Sequence, residues 1–309
     1  MFKYHIFALL MGTILDFVFG RLYSVWNPMV SIKGVVKFLD RALLGDEIIL
    51  VEPEKQRRLG MWLVILVAVP VFITILFFTV LCYEVAPWFG VIFEAIASYF
   101  CLEMRHIYKG GIEVMEDYYA DGISFMQRSS EALMEKEIVG NTVQSVSDSV
   151  ITYIAEEASD SVLSPLFVMF LFGPVGGFLY RTIDIIDGRI GNSNTNLSDV
   201  RYQYFGEPVT KINKALDYIP ALFSGFITVF VSNYFPGGFN GKNARYIHMR
   251  DKYKAVAAFA GALNIALMDG QIGDFDKEIS PRDIERAVIL MRNSFITCQL
   301  ILVFLLLFF

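Results

Sequence analysis

The chain has 309 residues, of which 55% are hydrophobic and 28 are Phe, and its net charge is −6. Soluble domains carry less apolar and more charged content, so the composition excludes an ordinary soluble domain. The acidic balance, with basic residues spread thinly over several loops, excludes a nucleic-acid partner.

The apolar residues cluster into segments, which predicts one integral membrane domain over residues 1–309. Residues 4–19 form a short apolar run interrupted by Asp16. No small-residue cleavage site follows, so the segment is expected to be retained. Residues 61–82 contain no charge and one proline, Pro70, and are long enough to cross the hydrocarbon layer. A turn at 83–87 and a return over 88–102, with Glu94 as its only charge, complete a transmembrane hairpin within 61–104. Residues 112–138 predict one or two helices outside the lipid, in a region (105–292) of mainly cytoplasmic and membrane-edge helices. Residues 162–180 are uncharged, but Gly173-Pro174 and Gly176-Gly177 divide them. Residues 220–231 and 255–268 are too short to cross comfortably. Ser280-Pro281-Arg282-Asp283 reads as a helix start. Its helix runs on into a C-terminal anchor over 293–309. No β alternation appears. The fold class is therefore all-α: transmembrane helices plus re-entrant or half-helices and cytoplasmic helical loops.

Lys and Arg populate residues 21–58, 105–136, 181–214, 242–254 and 277–292, whereas the 83–87 turn has none. The positive-inside rule puts that turn outside and the basic loops in the cytoplasm of a multi-pass inner-membrane protein. A full crossing by 162–180 would put the 181–214 loop on the wrong side; a re-entrant hairpin turning at 173–177 keeps it cytoplasmic.

Acids near membrane-grade segments are the candidates for chemistry. Ser149, Tyr153, Glu156 and Asp160 recur at helical spacing and share a face. Glu156 and Asp160 repel when both are ionised, and a divalent cation with phosphate oxygens relieves the repulsion; a solvated polar face is the plain alternative. Asp184 and Asp187, flanked by Arg181 and Arg189, form a second acid pair, readable as a site or as local ion pairs. The tract 188–196 could present backbone N–H groups to a phosphate. No P-loop or dinucleotide fingerprint exists. Cys82, Cys101 and Cys298 lie in apolar stretches without metal-ligand spacing and read as free thiols. His5, His106 and His248 are isolated in sequence.

Several segments in order resemble the CbiB/CobD family of integral membrane proteins. LDFVFGRLYSVWNPMVSIKG is similar to its opening motif, matching at Asp16, Gly20 and Pro28. IAEEASDSVLSPLF resembles a second motif at Glu156, Asp160, Pro165, Leu166 and Phe167. GPVGGFLYRTIDIIDGRIG resembles a third at Gly173, Pro174, Tyr180, Asp187 and Gly191. YQYFGEPVTKINKALDYIPA, AFAGAL and SPRDIERAVILMR are similar to later parts. The resemblance implies cobalamin biosynthesis: ATP-dependent amide ligation of adenosylcobyric acid with aminopropanol, or its phosphate. It implies Glu156 and Asp160 as catalytic residues. Asp16, Asp184, Asp187, Arg181 and Lys211 would bind substrate or nucleotide, and Glu156, Asp160 and Asp187 would hold Mg²⁺. Membrane lipid and a corrinoid are the implied partners, with a homo-oligomer or a signalling partner as further possibilities. Several motif positions differ: Asn27 stands for a His, Glu157 and Asp184 for Asn, and Leu222 for an Arg. These departures carry a second reading, a non-catalytic binding or signalling relative of the kind represented by AmpE.

Overall fold

The computed structural model describes residues 2–22, 26–44, 52–138, 140–191, 202–250, 253–273 and 275–308. Twelve α-helices and one π-helical segment are present among them. They are α1 (Phe2–Phe19), α2 (Pro28–Leu44), α3 (Pro53–Val85), α4 (Pro87–Cys101), α5 (Met104–Asp121) and α6 (Ile123–Met134), then α7 (Val143–Glu157), the π segment (Ala158–Leu163) and α8 (Ser164–Ile190), then α9 (Glu207–Tyr234), α10 (Gly241–Arg250), α11 (Lys254–Leu263) and α12 (Pro281–Phe308). Among the described residues the sole β feature is an isolated bridge, Leu267 to Ile272.

Among the described residues, five segments are long and apolar enough to cross a membrane: Phe2–Phe19, Pro53–Val85, Val143–Ile190, Glu207–Tyr234 and Pro281–Phe308. The chain is an all-α integral membrane protein. α3 is longer than its apolar core because Glu54, Lys55, Gln56, Arg57 and Arg58 are good helix formers that continue it beyond the lipid. Its length is about 50 Å at about 1.5 Å per residue. Residues 220–231 belong to the 28-residue α9, which corrects the expectation of a segment too short to cross. Pro220 lies inside α9, where the N-terminal polar turns supply the missing length. α12 runs unbroken from its Pro281 start into the apolar terminus, as expected. The three cysteines are free thiols; Cys101 and Cys298 are buried and Cys82 is half-buried.

The chain divides into two compact units, each built from discontinuous pieces. The first comprises Met1–Leu15, Leu22–Leu102 and Pro165–Ile219; the second comprises Asp16–Arg21, Glu103–Ser164 and Pro220–Phe309. In the first unit, α1 crosses α4 at Gly12, where an added Cβ would lie 2.6 Å from the Ser98 Cβ and 2.8 Å from the Ala95 carbonyl oxygen. Small residues permit such close approach where lipid offers no hydrophobic drive between helices.

α8 is two arms joined at Gly173, whose φ of 64° and ψ of −164° belong to a region open essentially to glycine. Pro174 then starts the second arm at a position that needs no N–H donor. The arms fold back on each other: a Cβ on Gly176 would sit 3.4 Å from the Val168 carbonyl oxygen, and one on Gly177 would sit 2.3 Å from Met169 Cγ. Eight residues of straight helix would separate those pairs by about 12 Å. The reversal expected at 173–177 is therefore present.

A buried polar cluster holds the tip. Glu94, 3% exposed, accepts hydrogen bonds from His5 Nδ1 and the Tyr83 hydroxyl. His5 Nε2 donates to the Phe170 carbonyl at 3.1 Å. Donors from two other helices thus satisfy the carboxylate where it lies inside an apolar helix pair.

Candidate functional site

The second unit holds the acids that sequence spacing groups together. Thr142 caps α7, its Oγ1 accepting from the Ser145 N–H at 3.2 Å. The helix passes at Glu157 directly into the π segment, where the Ser164 N–H reaches back to the Ser159 carbonyl. Such wide turns cost hydrogen-bond geometry and occur often at functional sites. Side chains stabilise this one: Ser161 Oγ donates to the Glu157 carboxylate, Ser159 and Ser164 hydroxyls lie 3.2 Å apart, and the Glu103 N–H donates to the Ser161 carbonyl at 3.2 Å. The π segment coincides with the ASDSVL stretch of the second family-like motif.

On the expected polar face, Ser149 Oγ donates to the Ser145 carbonyl at 3.0 Å and the Tyr153 hydroxyl to the Leu133 carbonyl at 3.2 Å. Both are thereby tied to backbone. Glu156 and Asp160 are half-buried on either side of the helix-to-π junction. Glu156 accepts no hydrogen bond from the described residues; Lys136 and Glu157 are the charges that act on it. It is a carboxylate held in a partly dehydrated position, its oxygens uncommitted among the described residues. Asp148, outside the expected face, accepts from the Met268 and Asp269 N–H groups at 3.0 and 2.8 Å. It thereby pins two consecutive left-handed residues, φ 56° and 54°.

Asp16, also in this unit, is 1% exposed and accepts the Arg105 N–H at 3.4 Å. The carboxylate lies at the first turn of α5, where free N–H groups and the helix dipole favour an anion.

The remaining predicted residues belong to the first unit. Arg181 donates to Asp184 at 2.8 Å. Asp187 accepts from Thr210 Oγ1 at 2.6 Å and Asn213 Nδ2 at 3.0 Å, so both carboxylate oxygens are engaged by α9. Lys211 Nζ donates to Glu207 at 2.6 Å, and Arg57 Nε meets the other oxygen of Glu207 at 2.6 Å. The phosphate-cradle expectation rested on 188–196, and residues 192–196 lie outside the described residues.

Sequence reading missed two members of this polar layer. Asp40, 1% exposed, accepts from Arg189 at 3.2 Å and Tyr202 at 2.9 Å. Asp217 accepts from the Tyr180 hydroxyl at 2.7 Å. A signal for Asp40 exists: it falls on the buried stripe Met29, Ile32, Val36, Asp40, Leu44 of α2. A charge in an apolar stripe demands a partner.

Among the described residues, no group of three or more His, Cys, Asp or Glu side chains could hold a metal ion. Of the three expected Mg²⁺ ligands, Glu156 and Asp160 share a unit, and Asp187 belongs to the other. Two carboxylates fit Mg²⁺ only when phosphate oxygens and water complete its octahedron.

Comparison with known proteins gives one consistent answer. No solved structure matches. The chain is 26% identical to the cobalamin biosynthesis protein CobD of Brucella melitensis, over 93% of this chain and 92% of that one. It is 28% identical to the CobD of Brucella suis over the same shares. It is 31% identical to the CobD of Leptospira interrogans over 57% of this chain and 56% of that one. The family model described as CobD/Cbib protein matches residues 9–291, a span that takes in α2 to α11, most of α1 and the start of α12, and the chain belongs to that family.

Proposed function

We propose that this protein acts in cobalamin biosynthesis at the inner membrane, joining adenosylcobyric acid to aminopropanol or its phosphate in an ATP-dependent amide ligation. The observation that carries the reading is Glu156: a half-buried carboxylate without a hydrogen-bond donor among the described residues, at a π-helical junction, inside the stretch the family model matches. The basic loops face the cytoplasm in this reading, where ATP is supplied.

An acid and an amine do not condense in water without activation. Phosphoryl transfer from ATP to the corrinoid carboxylate gives an acyl phosphate and ADP. The amine then attacks the carbonyl, phosphate leaves, and the amine nitrogen loses its proton. Glu156 accepts that proton, and partial dehydration suits it to the task. Asp160, one turn away, holds the nucleotide end. Mg²⁺, when bound with ATP, neutralises phosphate charge. Arg181, Asp184, Asp187 and Lys211 belong to a separate polar layer within the first unit, where Thr210 and Asn213 fix Asp187.

The test uses purified protein in nanodiscs with ATP, Mg²⁺, adenosylcobyric acid and aminopropanol phosphate, reading ADP release and the amide product by mass. Product formation lost in Glu156→Gln, with unchanged folding, supports the ligase. No product and no corrinoid binding overturns it.

A second reading, a binding or signalling relative, rests on Asn27. Where the family motif has His, Asn27 Oδ1 accepts the Met29 N–H at 2.8 Å and caps α2. A residue in a capping role serves the fold without chemistry. Full corrinoid binding without turnover would favour this reading.

A further inference from the structure

The loop that follows α6 sets a cation beside Glu156. α6 and α7 run side by side in the same direction and are tied at both ends. Gln127 Nε2 donates to the Gly140 carbonyl at 2.7 Å just ahead of α7, and the Tyr153 hydroxyl donates to the Leu133 carbonyl near the end of both helices. Lys136 follows Leu133 by three positions and Glu156 follows Tyr153 by three, so one tether brings both to the same level. The turn that stops α6 fixes Lys136 in place. Glu135 is left-handed at φ 53°, and the Ile138 N–H donates to the Glu131 carboxylate at 3.3 Å, so the chain doubles back along α6 at this point.

Lys136 is exposed and makes no hydrogen bond or ion pair with the described residues. The acids on either side are engaged elsewhere: Glu135 pairs with Arg21 at 3.5 Å, and Glu157 accepts from Ser161. Lys136 is the cation that acts on Glu156, yet it lies beyond the about 4 Å of an ion pair. A cation and an anion held opposite each other without touching suit a ligand that carries both charges. An aminoalkyl phosphate has that form, with an amine at one end and a phosphate a few bonds away. Its amine meets Glu156, the carboxylate that takes the amine proton in the ligation. Its phosphate meets an ammonium group, which serves phosphate as a mobile point charge.

We propose that Lys136 holds the phosphate of the amine substrate, so that Lys136 and Glu156 grip an aminoalkyl phosphate by its two ends. The assignment rests on the ligase reading given above and makes Lys136 the residue that separates phosphorylated from unphosphorylated amines.

The test measures amide formation by the full chain in nanodiscs, with aminopropanol phosphate and with aminopropanol in parallel. Lys136→Gln is expected to raise KM for aminopropanol phosphate by about tenfold or more, and to leave KM for aminopropanol and for ATP within about twofold. Lys136→Arg keeps the charge and restores most of the preference. A lysine that only supports the loop shifts both amines alike, so an unchanged ratio of the two KM values in Lys136→Gln overturns the proposal. A rise confined to KM for ATP also overturns it, because it moves Lys136 to the nucleotide. No amide from either amine with the wild type overturns the ligase reading and this assignment with it, a result distinct from an active protein whose ratio does not move.

Discussion

Glu94 and Glu156 are both acids within apolar helical surroundings, but only one is saturated with partners. Glu94 receives His5 and Tyr83, residues from two other helices. Glu156 receives no hydrogen bond among the described residues. A buried carboxylate with all its oxygens engaged is part of the scaffold, because removing it strands its donors. A half-buried carboxylate with free oxygens contributes nothing comparable to the fold and is available to a ligand. By the same criterion Asp187, with both carboxylate oxygens engaged by α9, serves first to position α8 against α9.

Substitutions sharpen this contrast. Glu94→Ala leaves His5 and Tyr83 without their acceptor and is expected to destabilise the protein by about 3–5 kcal/mol, read as a large fall in thermal unfolding temperature in detergent. A variant that melts with the wild type would remove Glu94 from the scaffold class. Glu156→Gln is expected to leave melting nearly unchanged while slowing amide formation by about 10²- to 10⁴-fold. A matching loss of stability would put Glu156 with Glu94 instead. Gly176→Ala forces a methyl to 2.5 Å from the Phe172 Cβ, which cannot swing away. The hairpin must open, at about 1–3 kcal/mol in unfolding measurements. Thr210→Val removes one of the two donors to Asp187 and is expected to cost about 1–2 kcal/mol. An unaltered melting curve would show that water takes over the hydroxyl's role.

The amphipathic stripes, the turn residues and the uncharged runs were legible in the chain because each depends on neighbours within a few positions. Gly173-Pro174 announced a break, and the reversal there follows from the conformation that glycine alone tolerates. Ser280-Pro281 announced the start of α12 in the same way. Spacing also grouped Glu156 with Asp160, but it grouped Ser149 and Tyr153 with them too. Those hydroxyls turn out to be tied to backbone carbonyls. Asp148, set aside by the same spacing, pins a strained loop at residues 268–269.

The linear order of residues thus settled the membrane class, the helical content and the family, since hydrophobic periodicity and motif order are local properties. Which acids are satisfied, and which remain available, was decided in three dimensions. The donors to Glu94 include a residue 89 positions away, and one donor to Asp40 lies 162 positions away. Hydrogen bonds of that reach depend on how helices pack, and a helical pattern carries no record of the partner it will meet.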